Sequence, residues 1–193
     1  MFSLLILCVI GMLVLYSIII FKQLMQLKLQ LQLAFTAVEA PLQHRYQQIQ
    51  SWMESSKAEL SEHNDTIDTL LQVRMTAAGQ LKVAANNPGD IDAMQQLAAA
   101  ESRLQNALEA FGHVLGTSAR LTITQLRHEL KATELQLHLA LQHFNQAVRR
   151  YNHYKQSFPA LLLTDIFGHQ SDACLLEFAN VASYPAKIRQ GGC

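Results

Sequence analysis

The sequence predicts an all-α protein: an antiparallel bundle of three to four long helices following an N-terminal transmembrane helix. Three observations lead there. Residues 2–21 carry no charge. From Gln23 onward the chain is rich in Leu, Gln, Ala, Glu and Lys, with few β-branched runs and almost no Pro or Gly, the composition of long helices. Apolar residues then recur in alternating steps of three and four, the period of a helix with one buried face. The chain divides on this basis into an anchor (1–22), a helical bundle (23–168), and a short helix with a C-terminal tail (169–193).

The anchor is "FSLLILCVIGMLVLYSIIIF". At about 1.5 Å per residue this stretch spans about 30 Å, the thickness of a bilayer core. A cleaved signal peptide would show a basic start, a shorter apolar run and a small-residue cleavage site, whereas nothing basic precedes Phe2 and "FKQLMQL" follows. Lys22 and Lys28 lie after the span, which places the N-terminus outside and the large domain in the cytoplasm.

The first soluble helix carries the stripe Leu31, Phe35, Val38, Leu42, Ile49 and Trp52. Residues 23–84 are expected to form one long or kinked helix continuous with the span, so that the bundle stands on a membrane stalk. Arg45 falls on the same stripe, and a guanidinium there requires a carboxylate or carbonyl partner; Glu129 and Glu134 are the candidates. "NNPGD" at 86–90 is the strongest turn signal, with Asp90 as N-cap of the next helix. Gly112 and Gly116 mark a second connection, after which Thr117 or Ser118 caps the last long helix.

That last helix has the clearest period, a coiled-coil-like seam of Leu126, Leu130, Thr133, Leu137, Ala140, Phe144, Ala147, Tyr151, Tyr154 and Phe158. Pro159 and the "FGHQ" stretch close it, a short helix is expected near 171–180, and "SYPAKIRQGGC" reads as coil. Each principal helix is amphipathic, so the helices must bundle to shield their apolar faces. Pairing between copies through exposed faces would give a homo-oligomer.

Within "FNQAVRRYNHYKQSFP", Asn145 and Asn152 stand one step round from Phe144 and Tyr151, at the edge of the seam. An amide there can bond a neighbouring helix and fix register. In the other reading, Arg149, Arg150, Asn152 and Tyr154 form a recognition surface for a partner.

Composition excludes several functions. Fifteen basic and fifteen acidic residues cancel, with no block of either sign, so nucleic acid is not an expected partner. Three cysteines, Cys8, Cys174 and Cys193, without CxxC spacing, argue against a disulfide framework or a structural zinc site; Cys174 and Cys193 could pair only in an oxidising compartment. His138, His143 and His153 are spaced by five and ten, not by the four that stacks two imidazoles on a helix, and "HELKA" at 128–132 has Ala132 where a zinc protease has its second histidine. No Glu has a His three residues later, as di-iron bundles require. His128 and the other three therefore read as helix-surface polar residues. Glu59, Glu62, Asp65 and Asp68, near His63, read as a solvated face or a binding surface. Nucleophile-elbow and phosphate-loop motifs are absent. No catalytic, cofactor-binding or metal-ligating residue is assigned, no cofactor is expected, and the protein is not expected to be an enzyme.

These residues resemble the LemA family of bacterial membrane proteins. Gln125, Leu126, Glu129, Leu130, Thr133, Glu134, Asn145, Ala147, Val148, Tyr151, Asn152, Phe158, Pro159 and Gly168 match the family's C-terminal pattern. "AFTAVEAPLQHRY" at 34–46 matches its first soluble segment through Phe35, Val38, Glu39, Leu42, Arg45 and Tyr46. Gln47 to Ser51 depart from the family's usual D-L-I-P-N-L, Leu135 replaces the Asn of its T-E-N motif, and 86–120 shows little likeness. The resemblance implies an anchored helical bundle of the bacterial inner membrane linked to envelope or membrane-protein maintenance, with no agreed active site. The expected function is a single-pass scaffold or adaptor that binds other membrane or membrane-associated proteins; the alternative is a membrane-linked sensor or regulator without catalytic activity.

Overall fold

The computed structural model describes residues 2–56, 64–114, 120–158, 160–161 and 172–178. These form four helices, α1 (Phe2–Ser56), α2 (Asn64–Asn86), α3 (Ile91–Val114) and α4 (Arg120–Gln156), and one extended segment, 172–178; no strand occurs among the described residues. The all-α bundle expected from the periodicity is the observed architecture.

Three side-chain relationships define the helix directions. Arg74 Nη1 of α2 donates to the carbonyl of Tyr46 at 3.4 Å. Those residues lie at equal distances from the 57–63 connection, so α2 runs back along α1. Arg45 meets Glu101 and Trp52 meets Phe111, so α3 runs parallel to α1. Phe35 meets Phe144 while His44 and Gln48 meet Thr133, so α4 runs antiparallel to it. The topology is up, down, up, down, the arrangement short connections favour.

α1 is continuous from the apolar N-terminal stretch into the bundle core. Pro41 sits inside it and deprives the Ala37 carbonyl of its helical donor. The expectation of one helix across 23–84 is not met, because α1 ends at Ser56 and α2 starts anew at Asn64. Folding back buries Ile67, Leu70, Ala77, Leu81 and Ala84 against the chain's own core, where a straight helix would leave that stripe in water. Asp65, in the first turn of α2, complements its dipole.

The α2–α3 turn forms as expected: Asp90 Oδ1 accepts from the Ala93 amide at 2.9 Å, and Gly89 takes φ +91°, a left-handed conformation that favours glycine. α3 continues through Gly112 to Val114, and the expected caps Thr117 and Ser118 lie outside the described residues.

The α1 stripe is buried at every expected position, from Leu31 to Trp52. On α4, Leu130, Thr133, Leu137, Phe144 and Tyr151 are buried, joined by Leu141 and Val148, while the side chain of Leu126 lies outside the described set. Edge-on ring contacts join Phe35 to Phe144 at 5.4 Å and Trp52 to Phe111 at 4.8 Å. Such pairs add about 0.5–1.5 kcal/mol beyond their burial. Phe158 departs from the expected seam: the helix ends at Gln156, and its ring is 81% exposed.

Residues 2–19 are almost wholly exposed, and the apolar part of α1 reaches a mean hydropathy of 3.0, long and apolar enough to cross a membrane. It is compatible with an anchor, though a signal sequence has the same character. No free stalk separates it from the bundle, because Ile20 and Leu24 are already buried.

Candidate functional site: an asparagine clamp on α4

Residues 172–178 are extended rather than helical, which corrects the short helix expected near 171–180. Cys174, Leu176 and Phe178 are buried while Asp172 and Glu177 are exposed, the two-residue alternation of a strand laid on an apolar surface. A helix would have turned at least one of those three away from the core.

Asn145 and Asn152 hold this segment. The Asn145 side chain donates to the Leu176 carbonyl at 2.9 Å and accepts from the Leu176 amide at 2.8 Å. Asn152 does the same to Ala173, donating at 2.8 Å and accepting at 2.9 Å. Each carboxamide thus acts as a surrogate strand residue, supplying one donor and one acceptor to the backbone N–H and C=O of one residue. The asparagines were expected to bond a neighbouring helix; they bond the backbone of the C-terminal segment instead.

The spacing explains why two asparagines at heptad separation serve. Seven helical residues advance about 10.5 Å. Three extended residues, from Ala173 to Leu176, advance about 10 Å. The ladders coincide, so both amides reach the segment without bending either element.

Further contacts pin the lower end. The Cys174 amide donates to the Gly89 carbonyl at 2.8 Å. Asp172 accepts from Lys155 Nζ at 2.7 Å and from Gln156 Nε2 at 2.9 Å. Lys155 is itself buried, and this carboxylate offsets the cost of burying its ammonium. Burial, then the charge of Asp172, raises the Tyr151 phenol pKa. Chemically the arrangement recognises an extended backbone, with selectivity left to the positions that receive Cys174, Leu176 and Phe178. Of the residues expected in a recognition surface, Asn152 is engaged within the chain, Arg149 and Arg150 are exposed, and Tyr154 is half-buried.

A second polar cluster lies in the bundle interior. Arg45 Nη1 meets Glu101 Oε2 at 2.8 Å, Arg45 Nη2 donates to Gln105 Oε1 at 2.9 Å, and the Tyr46 hydroxyl donates to Glu101 Oε1. Arg45 and Glu101 are 6% and 3% exposed. The partner of Arg45 is therefore Glu101 on α3, not Glu134, which is exposed on α4, nor Glu129, whose side chain lies outside the described set. The reason is angular: the Arg45 face of α1 meets α3, while His44 and Gln48 face Thr133 of α4. Burial raises the Glu101 carboxyl pKa, a shift that Arg45 and the Tyr46 hydrogen bond oppose. Burial and the Glu101 charge drive the Tyr46 pKa upward. With both carboxylate oxygens engaged inside the core, the cluster locks α1 to α3 in register.

Glu101 had a legible signal. It occupies a seam position in Met94, Leu97, Glu101, Leu104, Leu108 and Phe111, as Arg45 does between Leu42 and Ile49. Two opposite charges in two apolar stripes are natural partners.

Among the described residues no group of three or more His, Cys, Asp or Glu side chains is placed to hold a metal ion. His128, His143 and His153 are exposed, and His138 bonds Gln142 one turn away at 2.9 Å. Asp65 and Asp68 are exposed on α2; Glu59, Glu62, His63 and Cys193 lie outside the described residues.

The model of the LemA family matches residues 34–188. The chain belongs to the LemA family. Among curated proteins nothing matches it. The matched region holds the whole LemA bundle from Ala34, both polar clusters and the clamped segment, and it leaves out the apolar stretch 2–21.

Proposed function

We propose that this LemA protein is a single-pass scaffold or adaptor of a bacterial inner membrane, whose cytoplasmic bundle binds other membrane or membrane-associated proteins during envelope or membrane-protein maintenance. The continuity of α1 carries the proposal. One unbroken helix passes from the exposed apolar stretch into the core, so the bundle is held rigidly at a fixed distance from the bilayer. The buried polar groups fit this role, since Arg45, Tyr46 and Glu101 engage one another within the core. Leu135 and Leu139, one turn apart on the outer face of α4, are 55% and 59% exposed and offer a protein partner an apolar foothold.

Photo-crosslinking from position 139 in intact cells tests this. Specific membrane proteins should be captured that an unrelated anchored bundle does not capture; identical catches from both would refute the adaptor role. The side is tested by Glu109→Cys, an exposed position. An impermeant thiol reagent applied to cells with an opened outer barrier should leave it unlabelled, and labelling would place the bundle on the other side.

A further inference from the structure

We propose that the lower end of the bundle is seated in the bilayer surface, with Phe158 as an apolar foot inserted among phospholipid chains beside the α1 span. The inference rests on the reading of residues 2–21 as an anchor and deepens it, assigning a lipid-contacting role to α4.

Register carries the inference. α4 runs antiparallel to α1, and the Phe35–Phe144 ring contact fixes their alignment. From that contact Ile20 lies fifteen residues down α1 and Phe158 fourteen residues along the α4 chain. At the helical rise the two paths descend about 21–23 Å. Phe158 thus comes level with Ile20 and Phe21, the last residues of the uncharged stretch.

Exposure says that the bundle itself does not cover this ring. Phe158 is 81% exposed, more than any other large apolar side chain described outside the span. Leu161, in the turn closed by its amide on the Ser157 carbonyl at 3.0 Å, is 53% exposed, while Ala160 between them is buried. Two large apolar groups therefore project from a turn at the height where the chain leaves the hydrocarbon.

The neighbours suit a membrane boundary. By the same register Tyr154 falls about 6 Å above Phe21, the interfacial depth that tyrosines favour. Lys22, Lys28, Arg149 and Arg150 are exposed and fall, by the same register, within about 14 Å above Phe21, where their flexible stems can reach headgroup phosphates. A bilayer satisfies the apolar turn and the basic collar together, whereas water satisfies only the second.

Phe158→Trp in the full chain, placed in phosphatidylcholine nanodiscs with or without bromine on the acyl chains, tests the proposal. The native Trp52 lies about 45 Å above Phe21 along α1 and is out of reach of the bromines, so lipid-dependent quenching reports position 158. Roughly twofold loss of the added emission is expected, stronger with shallow than with deep bromines, together with a blue-shifted maximum. Leu15→Trp is the control within the span. If Leu15→Trp is quenched and Phe158→Trp is not, the foot is overturned and the anchor stands. If neither is quenched, the anchor falls and the foot with it.

Discussion

Asn145 and Asn152 lie seven residues apart on α4, and the residues whose backbone they grip, Leu176 and Ala173, lie three apart on an extended segment. Helix and strand rarely share a common repeat, yet about 10 Å serves both here. A seven-residue amide repeat on a helix thus acquires a meaning besides helix–helix register: it can serve as one edge of a one-strand sheet.

Replacing either asparagine by Ala removes two hydrogen bonds, one to the N–H and one to the C=O of a partly buried residue. A loss of about 1–3 kcal/mol is expected for each, with the amides of Ala173 and Leu176 exchanging faster. Asn145→Asp should fall between, because a carboxylate still accepts from the Leu176 amide but repels its carbonyl. Hydrogen exchange read peptide by peptide checks this; unchanged protection over 172–178 in both Ala variants would show that the clamp does not hold the segment.

Gly89 is the second fastening. Its φ of +91° disfavours any side chain, and a Cβ built there would stand 3.0 Å from the Cβ of Ala173. Gly89→Ala is expected to cost about 1–3 kcal/mol through backbone strain and to loosen the segment as well. The strain alone would lower the melting temperature without changing exchange at Ala173, so the two effects are separable.

The sequence made the bundle legible because its apolar residues follow the helical period, and Asp90 legible because its turn signal is local. The partner of Arg45 was harder. Glu101 is visible as a charge in a seam, but matching it to Arg45 requires knowing that α3 runs parallel to α1, which depends on where α1 stops. No break signal as strong as "NNPGD" separates Trp52 from Ile67, so the sequence does not mark the fold-back. The segment 172–178 is ambiguous in the sequence because "DACLLEF" is short, and short apolar runs fit either period. The clamp itself is half legible: the paired asparagines stand out at their heptad spacing, but their partner is a backbone, which leaves no side-chain signature.

The Arg45–Glu101 pair should behave as buried pairs do. Glu101→Leu alone strands a buried guanidinium and is expected to cost about 3–5 kcal/mol, while Arg45→Met with Glu101→Leu should recover most of that loss. Denaturant unfolding of the two single variants and the double variant measures the coupling. Additive losses would mean that the two side chains do not act as a unit.

Stability should also carry a pH signature from Glu101. Its carboxyl pKa is raised above the ordinary 4.5, so just above that value the folded state keeps a proton the unfolded chain has lost. Stability from this group is therefore complete below 4.5 and declines as pH rises towards the folded value. Relative to wild type, Glu101→Gln should gain stability as pH increases across that window. A difference independent of pH would show that Arg45 and Tyr46 fully offset the burial.

Phe144 and Phe158 lie fourteen residues apart in one sequence pattern but in opposite environments, at 0% and 81% exposure. Phe144→Ala empties a site at the α1–α4 interface against Phe35 and is expected to cost about 3–5 kcal/mol, lowering the melting temperature by roughly 10 °C. Phe158→Ala in detergent removes a ring that little protein touches and should stay within about 0.5 kcal/mol of wild type. Thermal unfolding of the two variants under one condition is decisive. A large loss from Phe158→Ala would return that residue to the bundle core and take away the ring assigned here to the membrane.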